Sequence, residues 1–300
     1  MSVTFAAIRA RVPLGQRLAA QGLDGVTLLV VPAALFLLAL FVYPFLYGLW
    51  LSFHPKDGTL LGNYSRFFGD DFLYGTIWKT LRLAVPVTLL NLAIAVPVAL
   101  RVRLMRRQRL LTTILVVPIT LGTVLVAEGL LTYLGPQGWF NRVLVSLQLI
   151  SGPVRLLHNY WGVFLSLLIT GLPFTFLLTL SYLSGVDPAL EQAAATLGAE
   201  SPSRFRHILL PLLVPGLAIT FCLSFVQAFS VFPSAVLLGS PAGPTRVISI
   251  AAYEAAFEQY DYSLASAIAM VMGVVQLVVV LAVIGARGLS YRGSASGGKG

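Results

Sequence analysis

Few residues of this 300-residue sequence have the type and spacing for chemistry. We expect the three histidines, His54, His158 and His207, to lie in loops, and none belongs to the His-Glu-x-x-His pattern that binds zinc from one helix face. The acidic pair Asp70-Asp71 fits a solvated surface, and no serine stands in a glycine-flanked nucleophile turn. We therefore expect no catalytic residue and no metal ligand. An intramembrane enzyme is the alternative class that these residues disfavour.

The segment GSASGGKG, Gly293 to Gly300, comes close to the phosphate-binding loop of nucleotide-hydrolysing proteins. Gly300 stands where that loop needs a Ser or Thr to bind magnesium, and we predict no strand or helix beside it. We interpret residues 291–300 as a flexible cytoplasmic tail. The sequence therefore offers no site for ATP hydrolysis, and we expect no cofactor on this chain.

Glu128 is the only carboxylate inside a predicted membrane span. An ionisable residue at that depth is expensive, so it marks either a functional path or an ion partner. A carboxylate in a solute path would suit a cationic solute, whereas the structural alternative is an ion pair with Arg82 or a position at the boundary to water. Both interpretations stay open at this point. The neutral residues that could line a path, or only bond between helices, are Asn91, Gln227 and Gln276.

The elements that position these residues follow from the composition. The chain is 57% hydrophobic and 10% charged, whereas a soluble domain carries about 25% charged residues. Its single cysteine, Cys222, excludes a disulfide framework. We predict an all-α integral membrane protein, because six stretches reach the roughly 20 apolar residues that cross a bilayer. These stretches are Val26–Leu51, Thr80–Leu100, Leu111–Leu134, Trp161–Leu183, Ile208–Val231 and Ala265–Ala286.

The basic residues are distributed unevenly over the predicted loops. If both termini are cytoplasmic, the cytoplasmic segments hold thirteen of the twenty Lys and Arg residues, which agrees with the positive-inside rule. The basic run RVRLMRRQRL then contacts anionic membrane lipid rather than nucleic acid. We predict a cytoplasmic segment at residues 1–25, a transmembrane domain at 26–290 and a cytoplasmic tail at 291–300.

A polar insert at about residues 186–208 separates the fourth span from the fifth. Asp187-Pro188 is a helix start, since Asp can cap and Pro suits the first helical position. Gly198 is a helix stop, and Ser201-Pro202 repeats the start signal for a second helix. The sequence therefore predicts two short helices joined by a turn. Small alanines in the first helix indicate a surface that another protein can approach, although an ordinary amphipathic connection is the alternative.

The insert resembles the EAA loop of the permease subunits of binding-protein-dependent ABC importers. That pattern is Glu-Ala-Ala, three residues, Gly, nine residues, then Ile, any residue and Leu-Pro. Gln192 stands where the family has Glu, beside Glu191, which weakens one expected contact with the partner. The positions that match are Ala193, Ala194, Gly198, Ile208, Leu210 and Pro211.

The resemblance extends over nearly the whole chain from the second span onward and is greatest to polyamine-type permeases. It implies two ATPase subunits that hold ATP and magnesium, a second permease subunit that we expect to be a different chain, and a periplasmic or lipid-anchored substrate-binding protein. Thiamine, ferric iron and phosphonates are alternative solutes. A passive channel would not need the insert. The acids Glu254, Glu258 and Asp261, predicted outside the membrane, could contact the binding protein or a cation, although most outer-loop acids are solvated.

Overall fold

The computed structural model describes residues 25–56 and 58–290, and every regular element within them is helical. Three short π-helical stretches, Leu38–Val42, Phe205–Leu209 and Glu254–Glu258, continue the helices before them. The α-helices, numbered in chain order, are α1 (Gly25–Leu37), α2 (Tyr43–Ser52), α3 (Gly62–Gly69), α4 (Asp71–Val102), α5 (Gln108–Leu134), α6 (Trp139–Ser146), α7 (Tyr160–Ser184), α8 (Pro188–Thr196), α9 (Ser201–Arg204), α10 (Leu210–Phe229), α11 (Pro233–Leu238), α12 (Ile248–Tyr253) and α13 (Tyr262–Ser290).

Six helical stretches among the described residues are long and apolar enough to cross a membrane, which confirms the prediction of a six-span, all-α protein. The third contains α5 and α6 together with the turn between them. The segments expected to be cytoplasmic at residues 1–25 and 291–300 lie, apart from Gly25, outside the described residues. The six stretches are Val30–Ser52, Asp71–Val102, Gln108–Ser146, Tyr160–Ser184, Ser201–Phe229 and Tyr262–Arg287.

Two of the helices begin well before their predicted apolar cores. The second span starts at Asp71 instead of Thr80, because Asp70 Oδ1 accepts a hydrogen bond from the Phe72 N–H (2.8 Å) and caps α4 there. The fifth span starts at Ser201 instead of Ile208. A hydropathy pattern locates the part of a helix that lies in lipid, and it does not mark the residue at which the helix begins.

The first membrane helix forms a unit of its own within residues up to Leu51. Its aromatic residues Tyr43, Tyr47 and Trp50 stack along one face, with ring centroids 6.4 and 5.9 Å apart. Its π-helical stretch ends two residues before Pro44, as the stretch in the fifth span ends two residues before Pro211. Proline has no N–H to donate to the carbonyl four residues earlier, so the helix changes its hydrogen-bond pattern at these points.

The second unit, residues 52–300, is built around α4, α7 and α10. Ala95 and Ala99 of α4 are fully buried, and Phe176, Leu183 and Leu213 pack in the same cluster. Small residues at helix contacts let the backbones approach closely, as is usual between membrane helices. This cluster supports the end of the bundle from which the polar insert projects.

Asn141, in α6, organises the loop region between α5 and α7. Its Nδ2 donates to the carbonyl oxygens of Leu134 (3.2 Å), Gly135 (2.9 Å) and Val154 (3.2 Å). Its Oδ1 accepts a hydrogen bond from the Val154 N–H (2.8 Å). The side chain is buried, so it takes the place of the water that these backbone groups would otherwise need.

Candidate coupling helix and membrane-depth cavity

The first helix of the insert is α8, which we call the coupling helix, and its two ends form as predicted. Asp187 Oδ1 accepts a hydrogen bond from the Ala189 N–H (2.9 Å), and Pro188 occupies the first turn. Beyond the C-terminus Gly198 has φ +82°, and its N–H donates to the carbonyl of Ala195 (3.0 Å). The Ala199 N–H donates to the carbonyl of Ala194 (3.0 Å), which completes a Schellman motif. The helix therefore has fixed ends on the surface of the protein.

The second helix of the insert differs from the prediction. Glu200, not Ser201, is the residue that precedes the helix, and no side chain caps its N-terminus. The helix does not stop at the membrane but continues through α9 and the π-helical stretch into α10. His207 therefore lies in a helix and not in a loop, while Ile208 and Pro211 belong to the same continuous helix. The second helix of the insert and the fifth span therefore form one continuous helix.

The coupling helix presents two different faces. Leu190 and Ala193 are exposed and lie three residues apart on one face of the helix, and the exposed Leu197 follows four residues later, directly after the helix. Leu190 is 46% and Leu197 88% exposed. Ala194 is half-buried beside them. Glu191 and Gln192 instead line a cavity behind the helix.

That cavity has a volume of about 660 Å³. It lies between the coupling helix, the ends of α4 and α7, and the beginnings of α5 and α9. Arg103, the residue that follows α4, crosses this space and donates from Nη2 to Oε1 of Glu191. The sequence predicted that Glu191 contacts an ATPase, but the structure gives this carboxylate a partner within the chain. Nothing in the sequence pattern indicated Arg103.

A smaller cavity of about 130 Å³ brings together two residues that the sequence predicted for a solute path, Asn91 and Gln227. They lie on α4 and α10. The polar part of the wall also includes Thr123, Thr170, Ser224, Ser230 and Ser234. A Cβ on Gly171 would lie 2.5 Å from the Asn91 amide nitrogen, so a larger residue at this position would displace the Asn91 side chain. Asn91 is buried, and its Oδ1 has no hydrogen-bond partner among the described residues.

A second cavity of about 80 Å³ adjoins the first and shares Thr123, Thr170 and Gln227 with it. It reaches Gly122, whose φ of +72° breaks the helical pattern inside α5. A broken helix at membrane depth is tolerated where it borders a cavity. The side chains from the described part of the chain that line both cavities are uncharged.

Glu128 and Gln276 do not line these two cavities. Gln276 donates from Nε2 to the hydroxyl of Ser230 (2.8 Å), which is itself part of the larger cavity's wall. Glu128 is exposed on the isolated chain. None of the ion pairs among residues 25–56 and 58–290 joins it to Arg82, so the predicted alternative of a Glu128–Arg82 pair is wrong in this structure. The carbonyl of Arg82 accepts a hydrogen bond from the Tyr160 hydroxyl instead (2.8 Å).

At the opposite end of the bundle, two of the three predicted contact acids have partners within the chain. Asp261 forms an ion pair with Arg66, and Glu254 forms one with Arg246, whose guanidinium also lies 3.8 Å from the centre of the Phe72 ring. Burial raises the pKa of Glu254 above its ordinary value even though the charge of Arg246 opposes the shift. Glu258 is exposed.

Comparison with known proteins defines the class. Residues 26–291 match the family described as the binding-protein-dependent transport system inner membrane component. The chain belongs to this family: it is a permease subunit of an ABC importer and a multi-pass protein of the inner membrane.

Individual relatives differ in the solute that their names give. The chain is 30% identical over 206 residues to the spermidine/putrescine transport system permease protein PotB of Haemophilus influenzae, which covers 65% of this chain and 71% of the relative. It is 25% identical over 269 residues, 82% of each chain, to the trehalose transport system permease protein SugA of Mycobacterium tuberculosis. It is 32% identical over 163 residues to a probable sulfate transport system permease protein of Prototheca wickerhamii, which is 54% of this chain and 62% of that relative's length.

The fold is also similar to that of a solved structure. A chain in the crystal structure of a bacterial alginate ABC transporter, in complex with an alginate pentasaccharide-bound periplasmic protein, superimposes with a TM-score of 0.76. The match has 23% sequence identity and covers 90% of this chain and 95% of that chain. At this identity the likeness shows the fold alone.

Proposed function

We propose that this chain forms part of the membrane path of a solute importer and that its coupling helix is the surface on which a separate ATPase subunit acts. The complete importer would contain two ATPase subunits, a second permease subunit of different sequence and a solute-binding protein outside the inner membrane. ATP and magnesium would bind to the ATPase subunits. Both termini and the coupling helix would then face the cytoplasm, which agrees with the distribution of Lys and Arg.

The observation that carries this proposal is the exposed apolar face of the coupling helix. An exposed apolar surface that lies outside the membrane spans indicates a contact with another protein. Leu197 leaves 88% of its surface uncovered, and full burial of a leucine side chain stabilises a complex by about 1.5–3 kcal/mol. The small Ala193 beside it lets a partner approach the helix backbone. The continuous helix from Ser201 to Phe229 would carry the partner's movement into the membrane.

Reconstitution tests the proposal. Vesicles that contain this chain, the ATPase and the second permease subunit encoded beside it should take up solute in the presence of ATP and the binding protein. Vesicles in which this chain alone is omitted should take up none. ATP-independent uptake by this chain without an ATPase would instead indicate a passive channel and would contradict the proposal.

The first candidate solute is a polyamine. It is supported by the 30% identity to PotB and by the exposed carboxylate of Glu128, which would attract a cation if it faces the path. The similarity to PotB is no stronger than that to the sulfate permease, so sequence identity alone does not select the solute.

The second candidate is an uncharged, hydroxyl-rich solute such as a sugar. It is favoured by the two membrane-depth cavities, whose walls offer amide and hydroxyl groups and no charge from the described residues. Neutral amides and hydroxyls hydrogen-bond well to sugar hydroxyls, whereas they leave a polycation without a counter-charge. The identity to the trehalose permease SugA over 82% of the chain agrees with this candidate.

A further inference from the structure

We propose that Arg103 is a positioning residue, whose ion pair with Glu191 ties the coupling helix to the second and third membrane spans. A movement of the coupling helix would then displace α4 and α5 as well as α10. The inference rests on the proposed function of the coupling helix as the ATPase contact. It assigns Glu191 to this internal tie and leaves the exposed face of the helix to the partner.

The two side chains are held where solvent weakens their attraction little. Arg103 is 13% and Glu191 22% exposed. The Nε of Arg103 is buried and has no hydrogen-bond partner among the described residues, so Glu191 is the carboxylate that neutralises this guanidinium. Removing one member of such a pair leaves the other charge partly buried and unpaired.

Arg103 also lies at the junction between the second and third spans. The connection between α4 and α5 is only residues 103–107, and it is tied by backbone hydrogen bonds from Arg103 to Ala99 (3.0 Å) and from Met105 to Val102 (3.0 Å). A further backbone bond joins Gln108, the first residue of α5, to Met105 (3.2 Å). A force on the Arg103 side chain therefore acts on the end of one span and the beginning of the next.

Packing supplies little of this link, because the coupling helix and the ends of these spans line a cavity of about 660 Å³. Arg103 and Glu191 both line this cavity and form an ion pair with each other. Along the chain, the coupling helix packs on α9 and the following π-helical stretch, which lead only to the fifth span. The ion pair is thus the direct polar connection between the coupling helix and the second and third spans within the described residues.

A charge-reversal cycle in the complete importer tests the tie. The variants are Arg103→Glu, Glu191→Arg and the double reversal, and the readout is the number of solute molecules taken up per ATP hydrolysed. Each single variant should lower this ratio by about 10-fold, which is within the usual range for coupling between sites, while the ATPase stays bound. The double reversal should restore most of the ratio. Arg101→Glu, which changes the same charge on an exposed side chain two residues away, should leave the ratio unchanged.

Each outcome bears on the proposal. A wild-type ratio in Arg103→Glu, or a double reversal as defective as the worse single variant, would overturn it. If a single reversal prevents assembly, recovery of assembly in the double reversal supports the pair and continued failure overturns it. The proposed function fails differently, because its loss would appear as ATPase binding that does not depend on Leu197, whatever the effect of Arg103.

Discussion

Arg66 and Asp261 form an ion pair with an N–O distance of 3.1 Å although they are 195 residues apart in the sequence. Arg66 belongs to α3, which precedes the second span, and Asp261 immediately precedes the sixth. Asp261 also accepts hydrogen bonds from the hydroxyl of Ser263 (2.9 Å) and from the N–H of Leu264 (3.2 Å). This residue therefore caps the last membrane helix and joins it to the loop between the first and second spans.

We expect this arrangement to make the free energy of unfolding depend on pH. Burial disfavours the ionised form of Asp261, but the Leu264 N–H, the Ser263 hydroxyl and the charges of Lys56 and Arg66 together lower the pKa below its ordinary value of 3.8. A carboxyl whose folded pKa is lowered stabilises the protein fully above its ordinary pKa, and this contribution is lost as the pH falls through the folded pKa. Asp261→Asn should therefore lower the melting temperature in detergent at pH 7, and the difference from wild type should shrink below pH 3.8.

The exposed Glu258 is the matched control, because Glu258→Gln should change the melting temperature little at any pH. A difference between wild type and Asp261→Asn that stays constant from pH 7 to pH 3 would show that the carboxylate charge contributes nothing. Ionisation of Glu254 has the opposite effect on stability, because the pKa of this residue is raised in the folded protein. Its ionised form opposes folding above that pKa, and acid relieves this effect.

Asn141 should be the most sensitive residue of the loop region between α5 and α7. Asn141→Ala removes hydrogen bonds to the carbonyls of Leu134, Gly135 and Val154 and leaves these groups without their partner. We expect a loss of about 3 kcal/mol in the free energy of unfolding, measured by denaturation in detergent, and faster proteolysis within residues 135–158. Gln137→Ala, an exposed amide in the same loop, should have no effect, and equal stability of the two variants would contradict the assigned role.

Much of the fold could be predicted from the sequence because lipid imposes a strong local rule: a run of apolar residues long enough to cross becomes a helix. The ends of the coupling helix could also be predicted, because Asp187 and Gly198 act on backbone groups only a few residues away. Helix continuity was not predictable from cap signals alone. Ser201-Pro202 looks like a start, yet the helix that it opens does not end before the fifth span.

The contacts that join distant parts of the chain were beyond the sequence for a different reason. Asn91 and Gln227 were each recognised as polar residues at membrane depth, but their meeting in one cavity depends on how α4 and α10 pack. The Arg103–Glu191 pair depends likewise on the rotation of the coupling helix about its axis. Periodicity gives the faces of a helix, whereas tertiary packing decides which neighbour each face meets.

The orientation of the chain can be tested by cysteine accessibility on a Cys222→Ser background. Single cysteines at Arg107 and Ser203 should react only from the cytoplasmic side, and those at Gln137 and Pro244 only from outside. All four positions are exposed, so a membrane-impermeant reagent can reach each of them in intact cells or inverted vesicles. Labelling of Ser203 from outside would reverse the topology and remove the coupling helix from the reach of an ATPase.

The two candidate solutes lead to opposite predictions for the variants Gln227→Leu and Glu128→Gln. If the solute is an uncharged sugar, Gln227→Leu should lower uptake by about 10-fold through lost hydrogen bonds, and Glu128→Gln should leave it unchanged. If the solute is a polyamine, Glu128→Gln should lower uptake, since it keeps the size and removes the charge. Uptake of radiolabelled spermidine and trehalose by both variants in vesicles separates the two, with solute affinity of the binding protein as the unchanged control. Full uptake of either solute by both variants would contradict both placements.

The variant Leu197→Glu tests most directly whether the exposed face of the coupling helix binds the ATPase subunit. The Leu197 side chain is 88% exposed, so the variant should fold and insert as wild type does. A charge placed in the contact should weaken ATPase binding by 10-fold or more, which is about 1.4 kcal/mol or above and typical for the centre of an interface. Leu149→Glu makes the same change at a leucine that is also exposed but lies in the loop between the third and fourth spans. The measurement is the amount of ATPase that co-purifies with the full-length permease. We expect a large loss for Leu197→Glu and none for Leu149→Glu, and wild-type ATPase content with normal transport in Leu197→Glu would contradict the proposed contact.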